Sequence, residues 1–464
     1  MQLFNALPTV EVRGLRDFVR SRAHNPRADV ERLADHLLRQ RMSRVPELRR
    51  EAVWAALFPG TGYQDTNMRL LMSRTLDLLE QYLAWREYKK DRLQQGIYLA
   101  RAFRNLGMEE RFRGAVGAAR TYIEEAPLRN IAYLRDHFLL EFEWYDYFGG
   151  QKRTGEGGLP AVSNALDAWF FAEKLRWVCG QITLQTVARK ALPDAEIGWM
   201  EEYLARHPAL LDNTAVALWF ACLKALTSED AEPWYRRFRT LLDENRRAFA
   251  GPELRDLYML CLNFYIRKWN QDGERRFAEV GFQLYREGFE AGWLLVDGVL
   301  SHFTFINAVA LALRVGQFEW ASRVIESHQS HLDPKFRYNT SVFCLARLHY
   351  EKGDTAASMR LLAEYTPDDP YHFMIAKILL MKIYFEQEEH DALDSLLDTM
   401  RKFLSRNKAV LGYQRDYFER IVHIALRLRQ HVPGDKNDLA EIQAEIEGVG
   451  VLSDREWLLG RLGG

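Results

Sequence analysis

GQFEWA at residues 316–321 and GDTAAS at residues 353–358 both open with a glycine and close with a small residue. QEEHDA at residues 387–392 keeps this spacing without the glycine. The closing small residues are Ala321, Ser358 and Ala392, at separations of 37 and 34 positions. A small residue lets two helices approach closely, and glycine adopts the backbone conformation of the turn between them. The spacing therefore predicts successive helical hairpins.

The period of these segments is typical of the tetratricopeptide repeat, which is about 34 residues long. Apolar residues recur at helical spacing through almost the whole chain, and sustained alternation of apolar and polar residues is hard to find. Prolines and glycines divide the chain into segments the length of a helix pair. We therefore expect an all-α protein, a right-handed α-solenoid of about 20 or more helices arranged as tetratricopeptide-like hairpins, with an N-terminal helical region.

Composition and helix-breaking residues divide the chain into six predicted regions. They are a basic N-terminal helical region (1–95), a helical hairpin region (96–148), a flexible loop (149–160), an irregular helical-repeat region (161–299), tetratricopeptide-like repeats (300–430) and C-terminal capping helices (431–464). The hairpin region is expected to turn at Gly107. At residues 453–456, SDRE is a capping-box pattern that predicts a last short helix carrying Trp457.

Several short segments resemble a family of uncharacterised bacterial tetratricopeptide-like helical-repeat proteins. They are FPG at 58–60, MR at 68–69, LMS at 71–73, KWN at 268–270, LYREG at 284–288, LSHFTF at 300–305 and FEWA at 318–321. The resemblance extends over most of the chain. It implies a helical-repeat fold and brings no activity with it.

The composition excludes several classes of protein. The chain has 464 residues with 63 Lys and Arg against 64 Asp and Glu, so it is no polycation, and 48% hydrophobic residues exclude general disorder. Residues 1–20 lack the pattern of a signal peptide, and no uncharged run is long enough to span a membrane. The cysteines at 179, 222, 261 and 344 have no metal-binding spacing. We expect reduced core thiols in a cytoplasmic protein.

Motifs of familiar enzymes are missing from the sequence, including GxSxG, HExxH and GxGxxG. The glycines at 150 and 155 have the spacing of a phosphate loop, but Glu156 follows where lysine is required. His328 and His331 lie near Asp333 and are interpreted as surface residues rather than metal ligands. The acidic residues Glu141, Glu143 and Asp146 alternate with aromatic ones, which indicates a solvated helix face. We expect no catalysis, no cofactor and no metal.

A stack of hairpins creates a concave surface lined by the first helix of each hairpin. The residues predicted to face it are Arg314, Phe343, Arg347, Tyr350, Lys377, Met381 and Tyr384. Three cations among aromatic rings suit an acidic or carboxylate-ended segment, because arginine binds carboxylates through two hydrogen bonds. The leading hypothesis is a non-catalytic cytoplasmic scaffold or adapter for protein–protein interaction, holding a partner segment in this groove.

An alternative hypothesis starts from the charge of the N-terminal region. Residues 1–125 contain 22 Lys and Arg against 16 Asp and Glu. Residues 49–85 predict a helix, a turn and a longer helix, an order that resembles the helix-turn-helix of winged-helix regulators with helical repeats, although no strands precede it and no wing follows. A transcriptional regulator of this kind would contact nucleic acid through Thr66, Asn67, Arg69 and Arg74.

Overall fold

The computed structural model of the protein describes residues 2–41, 48–149, 158–188, 194–272, 274–367, 370–407, 414–432, 435–448 and 454–462. In these ranges the chain forms 23 α-helices and one short antiparallel strand pair. The prediction of an all-α protein is confirmed. Most of the predicted loop at 149–160, including the phosphate-loop spacing, lies outside the described residues, and so does Ser453 of the predicted capping box.

The helices follow one another through short connections. The first nine are α1 (Gln2–Ala6), α2 (Val12–Arg20), α3 (Ala28–Arg41), α4 (Arg50–Leu57), α5 (Asp65–Lys90), α6 (Arg92–Asn105), α7 (Glu109–Glu125), α8 (Ile131–Phe148) and α9 (Leu159–Ala188). The next seven are α10 (Asp194–Arg206), α11 (Thr214–Thr227), α12 (Ala231–Glu244), α13 (Gly251–Asp272), α14 (Arg275–Ala291), α15 (His302–Arg314) and α16 (Phe318–His328). The last seven are α17 (Pro334–Glu351), α18 (Thr355–Glu364), α19 (Pro370–Glu386), α20 (His390–Arg406), α21 (Gln414–Gln430), α22 (Lys436–Gly448) and α23 (Arg455–Gly460). Between α14 and α15, strands β1 (Leu295–Val296) and β2 (Val299–Leu300) pair.

The chain divides into two compact units. Unit 1 consists of Met1–Ala126 and Asp136–Val162, and unit 2 consists of Pro127–Arg135 and Ser163–Gly464. The finer division into six regions stays a prediction.

In unit 1, helices α2, α3 and α5 pack around one apolar core. Its buried side chains include Leu15, Phe18, Leu33, Leu78 and Tyr82. The predicted order of helix, turn and longer helix is confirmed as α4 and α5, and α5 extends beyond the predicted end to Lys90. The predicted hairpin at Gly107 is also confirmed, as α6 and α7.

One type of turn recurs at four places in the described chain. Its central residue has a positive φ: Gly107 (69°), Gly316 (81°), Gly353 (83°) and Glu388 (57°). In each turn the next N–H donates to the carbonyl oxygen five residues earlier: Met108 to Phe103 at 3.0 Å, Gln317 to Ala312 at 2.8 Å, Asp354 to His349 at 2.8 Å, and Glu389 to Tyr384 at 2.9 Å. This is the Schellman arrangement, which satisfies carbonyls at the end of a helix. In every case the next helix begins two residues after the central one.

The third hairpin of the C-terminal series is displaced by one residue from the sequence prediction. Ala321 and Ser358 lie five residues after their turn glycines, and both are fully buried. The turn residue of the third hairpin is Glu388 rather than Gln387, so the equivalent buried position is Leu393. The prediction that Ala392 fills this position is wrong, because without a glycine the sequence gives no marker of the turn centre.

In unit 2 many helices pack with their immediate neighbours in the chain. The pairs α11 and α12, α13 and α14, α15 and α16, α17 and α18, and α19 and α20 are in contact. Helix α17 also contacts α15 and α19. One apolar core extends over most of these helices, and a second surrounds α19 to α23.

The cysteines and the hydropathy of the helices agree with the corresponding predictions. All four cysteines are buried and free. Burial raises the pKa of the Cys344 thiol to about 12, which favours the inert protonated form. No helix in the described part of the chain combines the length and apolar character needed to cross a membrane.

Candidate functional site

A cavity of about 240 Å³ in unit 2 is lined by α13, α15, α17, α19 and α21. On α17 the lining residues include Phe343, Arg347 and Tyr350, and this spacing of four and three residues places them on one helix face. We call this cavity the groove and define it by the residues Trp269, Arg314, Arg347, Tyr350, Lys382 and Tyr417. It therefore combines three cations with aromatic rings.

The C-terminal segment, defined as residues 454–462, supplies a carboxylate to the groove. The side chain of Asp454 is buried, forms an ion pair with Lys382 and accepts a hydrogen bond from the hydroxyl of Tyr417. Burial alone would raise the pKa of Asp454, but the charge of Lys382 and these hydrogen bonds lower it to about 2. Asp454 is thus a charged anion firmly bound by the groove.

The same segment supplies a second carboxylate in a looser contact. Glu456 lies 3.7 Å from a guanidinium nitrogen of Arg314, and its side chain is 68% exposed. The guanidinium of Arg314 lies over the ring of Trp269, 5.2 Å from its centroid. An exposed pair of this kind contributes about 0–1 kcal/mol. Glu456 can therefore leave Arg314 at little cost.

Trp457 attaches α23 to the end of α19. Its indole N–H donates to the carboxylate of Glu386 at 2.6 Å, and the hydroxyl of Tyr350 donates to the same oxygen at 2.7 Å. The ring of Trp457 meets that of Phe385 edge to face. The predicted last helix is confirmed, but its N-cap is Asp454, whose carboxylate binds Lys382 instead of capping the helix.

Four of the seven predicted groove residues line the cavity: Arg314, Phe343, Arg347 and Tyr350. Phe343 is only 1% exposed, so most of its ring belongs to the core. Arg347 is half-buried and forms no ion pair with any residue that the structure describes. Its guanidinium is accordingly the cation of the groove that has the most capacity for a further anion.

The other three predicted residues, Lys377, Met381 and Tyr384, are not among the residues that line the groove. Met381 is fully buried in the core, and Lys377 lies over the ring of Phe373. The offset between these three residues and the lining has the same origin as the displaced turn at Glu388. Shifting each prediction by one residue gives 378, 382 and 385, of which Ile378 and Lys382 line the groove and Phe385 does not. One residue along a helix rotates a side chain by about 100°.

Sequence reasoning missed three of the residues that define the groove, Lys382, Tyr417 and Trp269, and it also missed Asp454 in the lining. Lys382 could have been found only by centring the third turn on Glu388. The others come from outside the three matched hairpins, and nothing in their local sequence indicates the groove.

The alternative nucleic-acid residues lie at the start of α5 in unit 1. Thr66 and Asn67 are exposed, as predicted. The guanidinium of Arg69 pairs with Asp65 at 2.8 Å, and Arg74 is half-buried. The exposed side of α5 also carries large apolar side chains: Leu70, Met72 and Leu76. The local charge at this surface is therefore partly neutralised, and its exposed side chains are mixed rather than predominantly cationic.

The acidic residues of α8 are paired with arginines. Glu143 is fully buried and pairs with Arg101 at 2.6 Å and with Arg104 at 3.2 Å. Glu141 pairs with Arg120 at 2.8 Å. The interpretation of these residues as a solvated face is wrong for Glu143, because the arginines of α6 neutralise it inside unit 1.

The two histidines near residue 330 have their ring centroids 5.6 Å apart. Burial and the neighbouring His331 lower the pKa of His328. Across the described ranges, no group of three or more His, Cys, Asp or Glu side chains has the arrangement of a metal site.

The chain was also compared with known proteins. No protein-family model matches it, and neither a curated protein nor a solved structure gives a match. The resemblance to bacterial tetratricopeptide-like proteins therefore stays a prediction based on the short segments quoted above.

Proposed function

We propose that the protein is a non-catalytic interaction scaffold that holds an acidic segment of a partner protein in the groove. In this proposal the helix pairs of unit 2 form a tetratricopeptide-like α-solenoid, and α13, α15, α17, α19 and α21 are the first helices of its hairpins. The contacts between neighbouring pairs and the recurring turn support that arrangement.

One observation carries the proposal: cations of the groove already bind carboxylates from the chain's own C-terminal segment. Lys382 binds Asp454, and Arg314 lies near Glu456. The two carboxylates are two residues apart and are followed by Trp457, which contacts Glu386 and Phe385. The groove thus accepts a short segment with alternating acidic residues and an aromatic residue after them.

A partner segment would use the cations that this arrangement leaves accessible. Arg347 has no ion pair with the described residues, and the ion pair of Arg314 with Glu456 is long and mostly exposed. A carboxylate between the two arginines would form charge-assisted hydrogen bonds and displace Glu456. The buried Asp454 would stay in place, because removing it would leave Lys382 buried without an anion.

The test is affinity capture from the host's lysate with three forms of the full chain: wild type, Arg347→Glu and the control Lys377→Glu. The control carries the same charge change on a helix of the same array but outside the groove lining. We expect a partner that wild type and Lys377→Glu retain and that Arg347→Glu loses at least tenfold. Glu456→Ala should raise its retention severalfold, because Arg314 loses its competing carboxylate. Equal retention by Arg347→Glu, or no retained protein, would overturn the proposal.

A second hypothesis is that the protein is a nucleic-acid-binding regulator that uses the start of α5. The observation in its favour is that Thr66 and Asn67 are exposed in the first turn of a helix that follows a helix and a turn. It predicts binding of duplex DNA that weakens steeply with salt and is reduced in Arg69→Ala and Arg74→Ala. Captured material that disappears on nuclease treatment would favour this hypothesis over the scaffold.

A further inference from the structure

A second and larger cavity lies elsewhere in unit 2, among α8, α9, α11 and α13. Its volume is about 820 Å³, which is within the usual range for small-molecule sites. The residues of α9 that line it include Trp169, Glu173, Trp177 and Gly180, at the spacing of one helix face. We call it the tryptophan cavity, since Trp169, Trp177 and Trp219 line it together with apolar side chains such as Met259 and Leu260.

Two charged side chains of the tryptophan cavity are mutually paired. The guanidinium of Arg176 pairs with Glu173 and lies over the ring of Trp177, 4.9 Å from its centroid. The indole N–H of Trp177 donates to the same carboxylate at 2.7 Å. These contacts give the α9 wall a fixed arrangement. The Nε of Arg176 is buried and has no hydrogen-bond partner among the described residues.

Two further polar atoms of the lining are buried without partners. Trp219 is 4% exposed, and its indole N–H finds no acceptor in the described part of the chain. Glu253 accepts a hydrogen bond from the Asn130 amide at 2.8 Å on one oxygen, but its other oxygen is buried and unpartnered. Burial raises the pKa of Glu253, and the Asn130 hydrogen bond and the charge of Arg176 offset this only in part. No described cation lies within ion-pair distance of it. Buried polar groups in proteins are nearly always hydrogen-bonded, so these atoms have hydrogen-bonding capacity that a bound molecule could use.

The unpartnered atoms differ in chemical type. The Glu253 oxygen accepts hydrogen bonds and carries negative charge when ionised, so it requires a donor, preferably a cation. The N–H groups of Trp219 and Arg176 are donors and require an acceptor, preferably an anion. A ligand that satisfies all three must therefore carry a positive donor and a negative acceptor in one molecule.

We propose that the tryptophan cavity binds a small zwitterion of the amino-acid type, with its ammonium group at Glu253, its carboxylate at the N–H groups of Trp219 and Arg176, and an apolar side chain against the tryptophan rings. The proposal is independent of the scaffold function, because no residue is shared between this lining and that of the groove. The ammonium group would also gain from cation–π contact with a tryptophan face.

The test begins with thermal-shift measurements on the full chain with each of the twenty common L-amino acids. The best ligand is then compared by calorimetry with two analogues of the same side chain, one lacking the carboxylate and one lacking the amine. For phenylalanine these are phenethylamine and 3-phenylpropionate. We expect each analogue to bind at least tenfold more weakly than the amino acid, because each leaves one set of buried polar atoms unpartnered.

Variants locate the binding within the cavity. A Cβ atom built at Gly180 meets no atom within 4 Å, so Gly180→Leu should fill the cavity without disturbing α9 and abolish binding. Gly198→Leu is the matched control, since Gly198 also has open space on a helix of unit 2 but does not line the cavity. Glu253→Gln should weaken the amino acid at least tenfold and leave the affinity for the amine-free analogue unchanged.

Three results would overturn the proposal. One is that no amino acid stabilises the protein, and another is that the amino acid and both analogues bind equally. The third is that binding survives Gly180→Leu. A loss of capture by the Arg347→Glu variant bears only on the scaffold function, so the two proposals fail independently.

Discussion

The groove contains the buried carboxylate of Asp454, and the tryptophan cavity contains the half-buried carboxylate of Glu253, which has one buried oxygen. The two carboxylates have opposite environments. Asp454 has Lys382 and Tyr417 as partners, and its pKa falls to about 2. Glu253 has one amide donor and no ion pair among the described residues, and burial raises its pKa. The difference teaches that a buried carboxylate with a cation beside it fastens one part of the chain to another, whereas the carboxylate of Glu253, which has no ion pair, can still bind a ligand.

Replacing Asp454 is expected to have the largest effect on stability. Asp454→Asn should lower the free energy of unfolding at pH 7 by about 3 kcal/mol, because Lys382 stays buried without its anion. The pKa of Asp454 is below its ordinary 3.8, so its stabilisation is complete above about pH 5 and is lost as pH falls towards 2. Urea unfolding at several pH values measures this difference.

Glu456→Gln is the control for the groove carboxylates, because Glu456 is mostly exposed and lies 3.7 Å from Arg314. Its effect should be within about 0.5 kcal/mol. If Asp454→Asn and Glu456→Gln lowered the free energy of unfolding equally, Asp454 would not be bound more firmly than Glu456, and the contrast would be wrong.

The register that places Lys382 in the groove depends on the turn at Glu388. Glu388→Gly should raise the free energy of unfolding by about 1 kcal/mol, because a non-glycine residue at positive φ is strained. Gln387→Gly serves as the control and should not stabilise the protein, since Gln387 is not a positive-φ residue. If Gln387→Gly stabilised the protein instead, the turn would be centred on Gln387 as the sequence predicts, and Lys382 would not lie on the groove face.

A smaller change in stability is expected at Gly180, which faces open space in the tryptophan cavity. Gly180→Ala should stabilise the protein by about 0.5–1 kcal/mol, because alanine favours a helix over glycine and the new methyl group meets nothing. Gly281→Ala is the contrasting variant, since its methyl group would lie 2.9 Å from Leu311. Thermal unfolding should shift upward for the first and downward for the second.

The smallest effect is expected for Glu253→Gln in the absence of ligand. At pH 7 the variant should be more stable than wild type by less than about 1 kcal/mol, because the ionised Glu253 is half-buried and has no ion pair with the described residues. The pKa of a desolvated carboxyl is higher in the folded state, so the advantage exists at high pH and vanishes below the ordinary value of 4.5. If the extra stability of Glu253→Gln increased as pH falls, the conclusion that Glu253 has a raised pKa in the folded state would be contradicted.

The sequence predicted most of the local structure around the repeated turns. Gly107, Gly316 and Gly353 mark three of the four turns, because glycine reaches positive φ without strain. Glu388 has the same conformation without being glycine. The predicted position of the third turn was therefore wrong by one residue, and Lys377 and Met381 were predicted on the groove face. Local sequence could not correct this, since a glutamate does not ordinarily mark a residue of positive φ.

The sequence predicted less about which charged residues are buried. The local sequence around Glu143 and Asp454 does not distinguish them from exposed acidic residues. Both are nevertheless buried beside cations that are distant in the chain. Likewise, nothing in the local sequence brings Glu253 to the wall that contains Trp219. Charge type is a property of the residue, whereas its partner depends on how helices are packed.

The amino-acid sequence by itself determined that this protein is helical and where most hairpin turns fall, because helix periodicity and glycine conformation act over a few residues. Only the tertiary structure decided that Asp454 fastens the C-terminal segment in the groove and that Glu253 and Trp219 share a cavity with unpartnered atoms. The physical reason is that the energy of a buried polar group depends on partners that the fold brings from far along the chain.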